Sequence, residues 1–303
     1  MRQAFGGEWT QRKLAVLEKY LKAYMTIMRR NPTASKTFRV TYLDGFAGSG
    51  IRYSPAQEDT LEVSAPWAED FSEADVREFH KGSPRVALEL DLPNLKPFDH
   101  YIFVEKNRNW VRELRSLQQE FPDRDIQIVE GDCNEYIRKW CSSLQWNDRA
   151  LVFLDPYGMQ VEWRTLETLA KTEKVDLWLL VPLGSAIMRL LVRRQPPPES
   201  WQKRLNDLFG TEAWLEHFYQ ATAVQTLFGD EEEIIRTATF DTVTQFFVQR
   251  LQGVFKGVLD QPAVLRNSKN IPLYVLCFAA SNPKGAPTAV KIARDIAEGL
   301  HGS

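Results

Sequence analysis

Four carboxylates stand where the residue types and spacing of this chain could support chemistry. Asp44, Glu105, Asp132 and Asp155 each close an apolar run: Arg39-Val-Thr-Tyr-Leu-Asp44, Tyr101-Ile-Phe-Val-Glu105, Ile126-Gln-Ile-Val-Glu-Gly-Asp132 and Ala150-Leu-Val-Phe-Leu-Asp155. A carboxylate offers only acceptor oxygens, so it suits a cation, an amine or a pair of vicinal hydroxyls. After the first run the chain continues Gly45-Phe46-Ala47-Gly48-Ser49-Gly50, where small residues let the main chain approach a ligand closely. After the last comes Asp155-Pro156-Tyr157-Gly158, an acid, a second carbonyl acceptor and an aromatic ring side by side. Any one acid is equally a solvated loop residue, and D-P-x-G is also an ordinary turn.

The elements that must position these groups are strands. Continuous apolar runs fit strands buried on both faces, as a parallel sheet requires. A fifth run, Val175–Pro182, has no acid at its tip. Between the runs, Asn109–Glu120 places Val111, Leu114 and Leu117 at helical spacing. Lys81-Gly82-Ser83-Pro84 reads as a helix start, either a plain cap or a set of free N–H groups for a carboxylate. Ala263–Arg266 and Ile271–Ala280 form an antiparallel hairpin at one edge, covered by a helix over Pro287–Leu300. The expected fold is α/β: a doubly wound, seven-stranded, mostly parallel Rossmann-like sheet with the ligand at its switch point.

Successive acids at the strand tips predict a ligand order. Asp44 would meet a cationic end, Glu105 a ribose, Asp132 with neighbouring Cys133 an adenine, and Asp155 the reaction centre. S-adenosylmethionine fits that order. The spacing departs from G-x-G-x-x-G, which disfavours a nicotinamide or flavin.

Asp155-Pro156-Tyr157 resembles the (D/N/S)-P-P-(Y/F) motif of amino methyltransferases, with one proline where the motif has two. The resemblance implies that Asp155 and the Pro156 carbonyl accept from a target amine while Tyr157 stacks on an unpaired base. More widely, Trp9-Thr10-x-x-Lys13-Leu14, YLDGFAGSG, GSP, VEKN, GDCN, FLDPYG and LYVLCFAASNP resemble the bacterial three-Cys-motif partner proteins over nearly the whole chain. That family is regarded as class I methyltransferase-like, encoded beside a radical-enzyme-like protein that carries the three cysteines. A more distant similarity, to a large-subunit ribosomal RNA adenine methyltransferase, implies Ser83 and Glu105 on the cofactor, Asp132 on its adenine and Asp155 in catalysis. The acceptor implied is an amine of DNA or RNA. A protein or small-molecule acceptor, or a non-catalytic partner of the three-cysteine protein, stays open.

Composition bounds these readings. With 303 residues, 44% hydrophobic, the chain can bury a full core. Cys133, Cys141 and Cys277 show neither metal spacing nor even pairing, and the four histidines are scattered, so no metal is expected. The absence of a signal pattern points to a cytoplasmic protein. A net charge of −2 neither supports nor excludes nucleic acid, so phosphate contact would fall to local arginines, Arg189, Arg193 and Arg194 for substrate, or Arg29 and Arg30, each equally a solvated cation. Gln195-Pro196-Pro197-Pro198 opens a change of character, dividing the chain into core residues 1–190, a helical insertion over 191–255 for substrate or partner recognition, and closing core residues 256–303. Within the insertion Trp201–Phe209, Thr211–Gln220 and Thr242–Phe255 read as short helices, for which a winged helix is one arrangement. Its aromatics read as core first and base-stacking platforms second.

Overall fold

A computed structural model of the chain describes residues 8–30, 38–49, 82–226, 229–267 and 269–299. Residue Gly50 and the acid-rich stretch 53–79 lie outside the described residues. Helix α1 (Glu8–Arg30) is followed by β1 (Arg39–Asp44), α2 (Ser83–Leu88), β2 (His100–Glu105), α3 (Arg108–Glu120), β3 (Ile126–Glu130), α4 (Cys133–Ser143), β4 (Asp148–Leu154), α5 (Trp163–Lys171) and β5 (Val175–Val181). A π-helical turn, Leu183–Ile187, leaves β5. Then come α6 (Glu199–Phe209), α7 (Trp214–Phe218), β6 (Tyr219–Thr226), β7 (Gly229–Arg236), α8 (Phe240–Gln252), β8 (Gly257–Val258), β9 (Ala263–Arg266), β10 (Pro272–Ala280) and α9 (Ala286–Glu298).

The main sheet runs β3-β2-β1-β4-β5-β10, with β8 and β9 both on the outer side of β10. Eight strands therefore fill the seven expected lanes, the last shared by two short pieces. The lanes β3 to β5 are parallel and β10 is antiparallel, which is the class I methyltransferase-like order. Strand order reverses between β1 and β4, the switch point at which such sheets bind ligands. Asp44 lies opposite Phe153 in that pairing, so it sits beside the Asp155 that follows β4.

Alternate residues of each strand enter different cores. Leu43, Val104, Val152 and Leu154 face α4, α5 and α8, while Tyr42, Phe103, Leu151 and Phe153 face α1, α3 and α9. That two-sided burial is why the strands read as unbroken apolar runs. Helix α3 turns Val111, Leu114 and Leu117 inward, and the Asn107 side chain accepts from Asn109 and Trp110 N–H at its start.

The insertion combines helices with two strands, and the helix expected over Thr211–Gln220 is confined to Trp214–Phe218. Its middle is an antiparallel hairpin, β6 with β7, in which Thr222 faces Glu233 and Gln225 faces Asp230. Asp230-Glu-Glu-Glu233 has low strand propensity, which hides β7 in the sequence, yet its backbone is paired with β6 from Gly229 to Arg236. Phe209, Trp214, Phe218 and Phe247 are buried in the core shared with the sheet.

Gly45 shows how tightly the switch point is packed. A Cβ there would stand 2.5 Å from Cys133 Sγ and 2.5 Å from Leu154 Cδ2. Gly45→Ala should therefore lower stability by about 1–3 kcal/mol in thermal melting. Gly131→Ala, whose Cβ meets nothing within 4 Å, should leave the melting temperature nearly unchanged.

Candidate functional site

The loop after β1 is held by its neighbours on both sides. Gly45 N–H donates to Phe153 O at 3.0 Å and Ala47 N–H to Val104 O at 3.1 Å. Gly48 adopts φ 61°, left-handed backbone that a glycine enters without strain, and aims its N–H at Glu105 Oε2, 2.9 Å away. Glu105 Oε1 accepts from Asn107 N–H at 2.7 Å. The carboxylate at the end of β2 thus ties two loops together, with the Lys106 N–H as a further backbone donor to it. Burial pushes its pKa up against these backbone N–H groups.

Asp44 stands behind the loop. It is fully buried, with Oδ1 accepting from Phe46 N–H at 3.2 Å, Oδ2 from the Tyr42 hydroxyl at 3.3 Å, and a further bond from the Ser83 hydroxyl. Burial is the main reason its pKa rises to about 7, with the neighbouring Asp155 charge adding to it. Asp44 and Ser83 therefore brace β1 against α2, and neither lines the open cleft.

That cleft, about 500 Å³, opens at the carboxyl ends of β1, β2, β3 and β4. Of the sequence-predicted residues it brings together Gly45, Phe46, Glu105, Asp132, Cys133, Asp155 and Tyr157. Ala47, Gly48 and Ser49 lie in the bordering loop but not on the lining, and Pro156 is buried. Asp132 caps α4, its Oδ1 accepting from Asn134 N–H at 2.9 Å and Glu135 N–H at 3.1 Å. Cys133 is buried, with its thiol pKa raised by burial, so it contributes bulk rather than a thiolate. The lining also includes Trp110, Asn134 and Gln160, which the sequence did not single out. Trp110 stacks against Tyr157 with ring centroids 6.2 Å apart and planes 25° apart.

The arginines are not brought to this cleft. Arg189 follows the π-helical turn, the carbonyl of exposed Arg193 accepts from Arg236 N–H at 2.8 Å, and exposed Arg194 lies 3.8 Å from Glu233 of the hairpin. Arg29 bonds Asp99 at 2.7 Å and three carbonyls, a structural tie at the opposite end of β1.

Lys13 stands in the sequence reading only as part of a motif, with no role assigned to it. Its ammonium forms a buried ion pair with Asp155 Oδ2 across 142 residues of chain. Lys13 had a legible signal, because it shares one helical face with Val16, Leu17, Tyr20 and Tyr24, and a cation on a buried stripe demands an anion. Asp155 Oδ1 is buried without a hydrogen-bond partner among the described residues. Burial raises the Asp155 pKa and Lys13 opposes the rise.

No protein-family model matches the chain. No curated protein matches it either. Similar solved structures include protein LPL1258 of Legionella pneumophila, 13% identical over 97% of this chain and 92% of that one, TM-score 0.48. Others are an S-adenosylmethionine-dependent methyltransferase of Clostridium acetobutylicum, 10% identical over 86% and 92%, TM-score 0.32, and Aeropyrum pernix fibrillarin with natively bound S-adenosyl-L-methionine, 12% identical over 75% and 76%, TM-score 0.28. Likeness of this degree assigns no chemistry, and membership of the three-Cys-motif partner family stays an expectation. No described helix is long and apolar enough to cross a membrane.

The buried acids carry a pH signature. Folding raises the Asp44 pKa from 3.8 to about 7, so between those values the folded state keeps a proton that the unfolded chain releases. Stability should therefore fall as pH rises from about 4 to about 7 and level off above. Asp176, raised to about 7 by its own burial, contributes in the same sense. Asp44→Asn should flatten this slope in melting temperatures recorded across that range.

Proposed function

We propose that the chain is an S-adenosylmethionine-dependent methyltransferase acting on an exocyclic amine of a nucleic acid base. The observation that carries this is Asp155, a carboxylate lining the switch-point cleft with one oxygen neutralised by Lys13 and the other without a hydrogen-bond partner among the described residues. The cleft's size lies within the range of about 300–1,000 Å³ usual for small-ligand sites. Its lining also fits the cofactor: Glu105 as acceptor for ribose hydroxyls, the edge at Asp132 and Cys133 for adenine, and the loop from Gly45 for the methionine end. S-adenosylmethionine supplies an electrophilic methyl on a sulfonium.

The chain's own residues do the rest. Asp155 Oδ1 accepts an N–H of the amine and so aims its lone pair, and Lys13 holds the carboxylate in its acceptor form. Tyr157, backed by Trp110, offers a flat wall for a planar base. The family resemblance and the D-P-Y run support the nucleic acid acceptor, whereas the net charge of −2 gives it no support.

A second reading, a cofactor-binding partner of a three-cysteine radical-enzyme-like protein that transfers no methyl, is favoured by the same ion pair. Lys13 already occupies half of Asp155.

Calorimetry with S-adenosylhomocysteine should detect binding, and Glu105→Ala should weaken it about tenfold or more, a loss of about 1.4 kcal/mol. Asp155→Asn should bind within a few-fold of wild type yet fail to pass labelled methyl to pooled DNA or RNA. Binding without transfer by the wild type to any pool of DNA, RNA or protein would favour the non-catalytic reading; no binding would remove both.

A further inference from the structure

Asn134, the residue after Cys133, lies between the two halves of the cleft. Its side chain is 4% exposed. Nδ2 donates to Gln160 O at 2.7 Å, while Oδ1 accepts from Glu162 N–H at 2.9 Å and from Thr165 Oγ1 at 2.9 Å. The Glu162 N–H can only donate, which fixes the amide's orientation and fills both lone pairs of Oδ1. Gln160, held in this way, accepts from Tyr157 N–H through Oε1 at 3.1 Å. On its other side Asn134 donates its own N–H to Asp132 Oδ1 at 2.9 Å. A continuous line of hydrogen bonds therefore runs from Asp132 through Asn134 and Gln160 to Tyr157.

We infer that Asn134 is a positioning residue that couples occupancy of the Asp132 edge to the shape of the segment Asp155–Glu162. This rests on the proposed methyltransferase reading and deepens it. An acceptor oxygen and a stacking ring carried by a loop must be held to about half an ångström, and the bracing must come from elsewhere in the fold. Segment 156–161 belongs to no helix or strand, and Asn134 holds Gln160 and Glu162 near its far end. An asparagine alone provides a donor for Gln160 and two acceptor positions for α5 from one small, uncharged group. Asn134→Asp keeps the acceptors and removes the donor to Gln160, which separates holding the segment from bracing α5. Thr165→Val removes one contact on the α5 side and serves as the control.

Hydrogen exchange read by mass spectrometry, with and without S-adenosylhomocysteine, tests the coupling. In the wild type and in Thr165→Val the ligand should slow exchange over 155–162 by about tenfold, since ordering one site lowers the cost of ordering its neighbour. Asn134→Asp and Asn134→Ala, each compared at ligand concentrations that saturate it by calorimetry, should still protect 45–49, yet show less than about a twofold slowing over 155–162. A merely structural role would lower binding and protection together and leave the linkage intact. Equal ligand-induced protection of 155–162 in Asn134→Asp would overturn the inference while leaving the cofactor reading intact. No heat with wild-type protein would overturn the cofactor reading and the coupling with it.

Discussion

The ion pair between Lys13 and Asp155 is the constraint around which the switch point is arranged. It joins the first helix to the end of a central strand where neither group has water to solvate it. Removing one partner of such a pair costs about 3–5 kcal/mol, because the other charge is left buried alone. Burial raises the Asp44 pKa to about 7, and the Asp155 charge adds to the rise. Burial raises the Asp155 pKa as well, but there the Lys13 cation opposes the rise. The two neighbouring acids thus differ in setting: Asp44 is enclosed in the fold as a brace, and Asp155 lines the cleft, where the proposed reading makes it the acceptor.

Glu105 plays the corresponding part on the other half of the site. By accepting from Gly48 and from Asn107 it holds the loops after β1 and β2 in one geometry. The small residues of the first loop serve this packing as much as any ligand. Gly45 is glycine because Cys133 and Leu154 press against it, and Gly48 because its backbone is left-handed. The proposed site is therefore built from backbone shape first, with carboxylates fixing that shape.

Much of this was legible in the sequence where structure is local. The strands announced themselves as unbroken apolar runs, the closing hairpin by its turn, and α3 by the spacing of Val111, Leu114 and Leu117. The strand-tip acids gather at one end of the sheet, around the cleft, although the reading put Asp44 on the ligand and the structure encloses it. What escaped depends on partners distant in the chain or on local chemistry with an ambiguous sign. Lys13 needed Asp155 to explain it, Asn134 needed the loop after β4, and the acids of β7 concealed a strand whose backbone pairs with β6. Arg189, Arg193 and Arg194 looked like a patch because they are neighbours in sequence, yet none lines the cleft.

The proposed account places a cofactor between Glu105 and Asp155, and a crystal structure with S-adenosylhomocysteine bound tests that most directly. The account predicts ribose hydroxyls on Glu105, adenine at the edge formed by Asp132 and Cys133, and sulfur turned toward Asp155 Oδ1 with the Lys13 pair intact. A ligand bound outside this cleft, or one whose sulfur points away from Asp155, would contradict it.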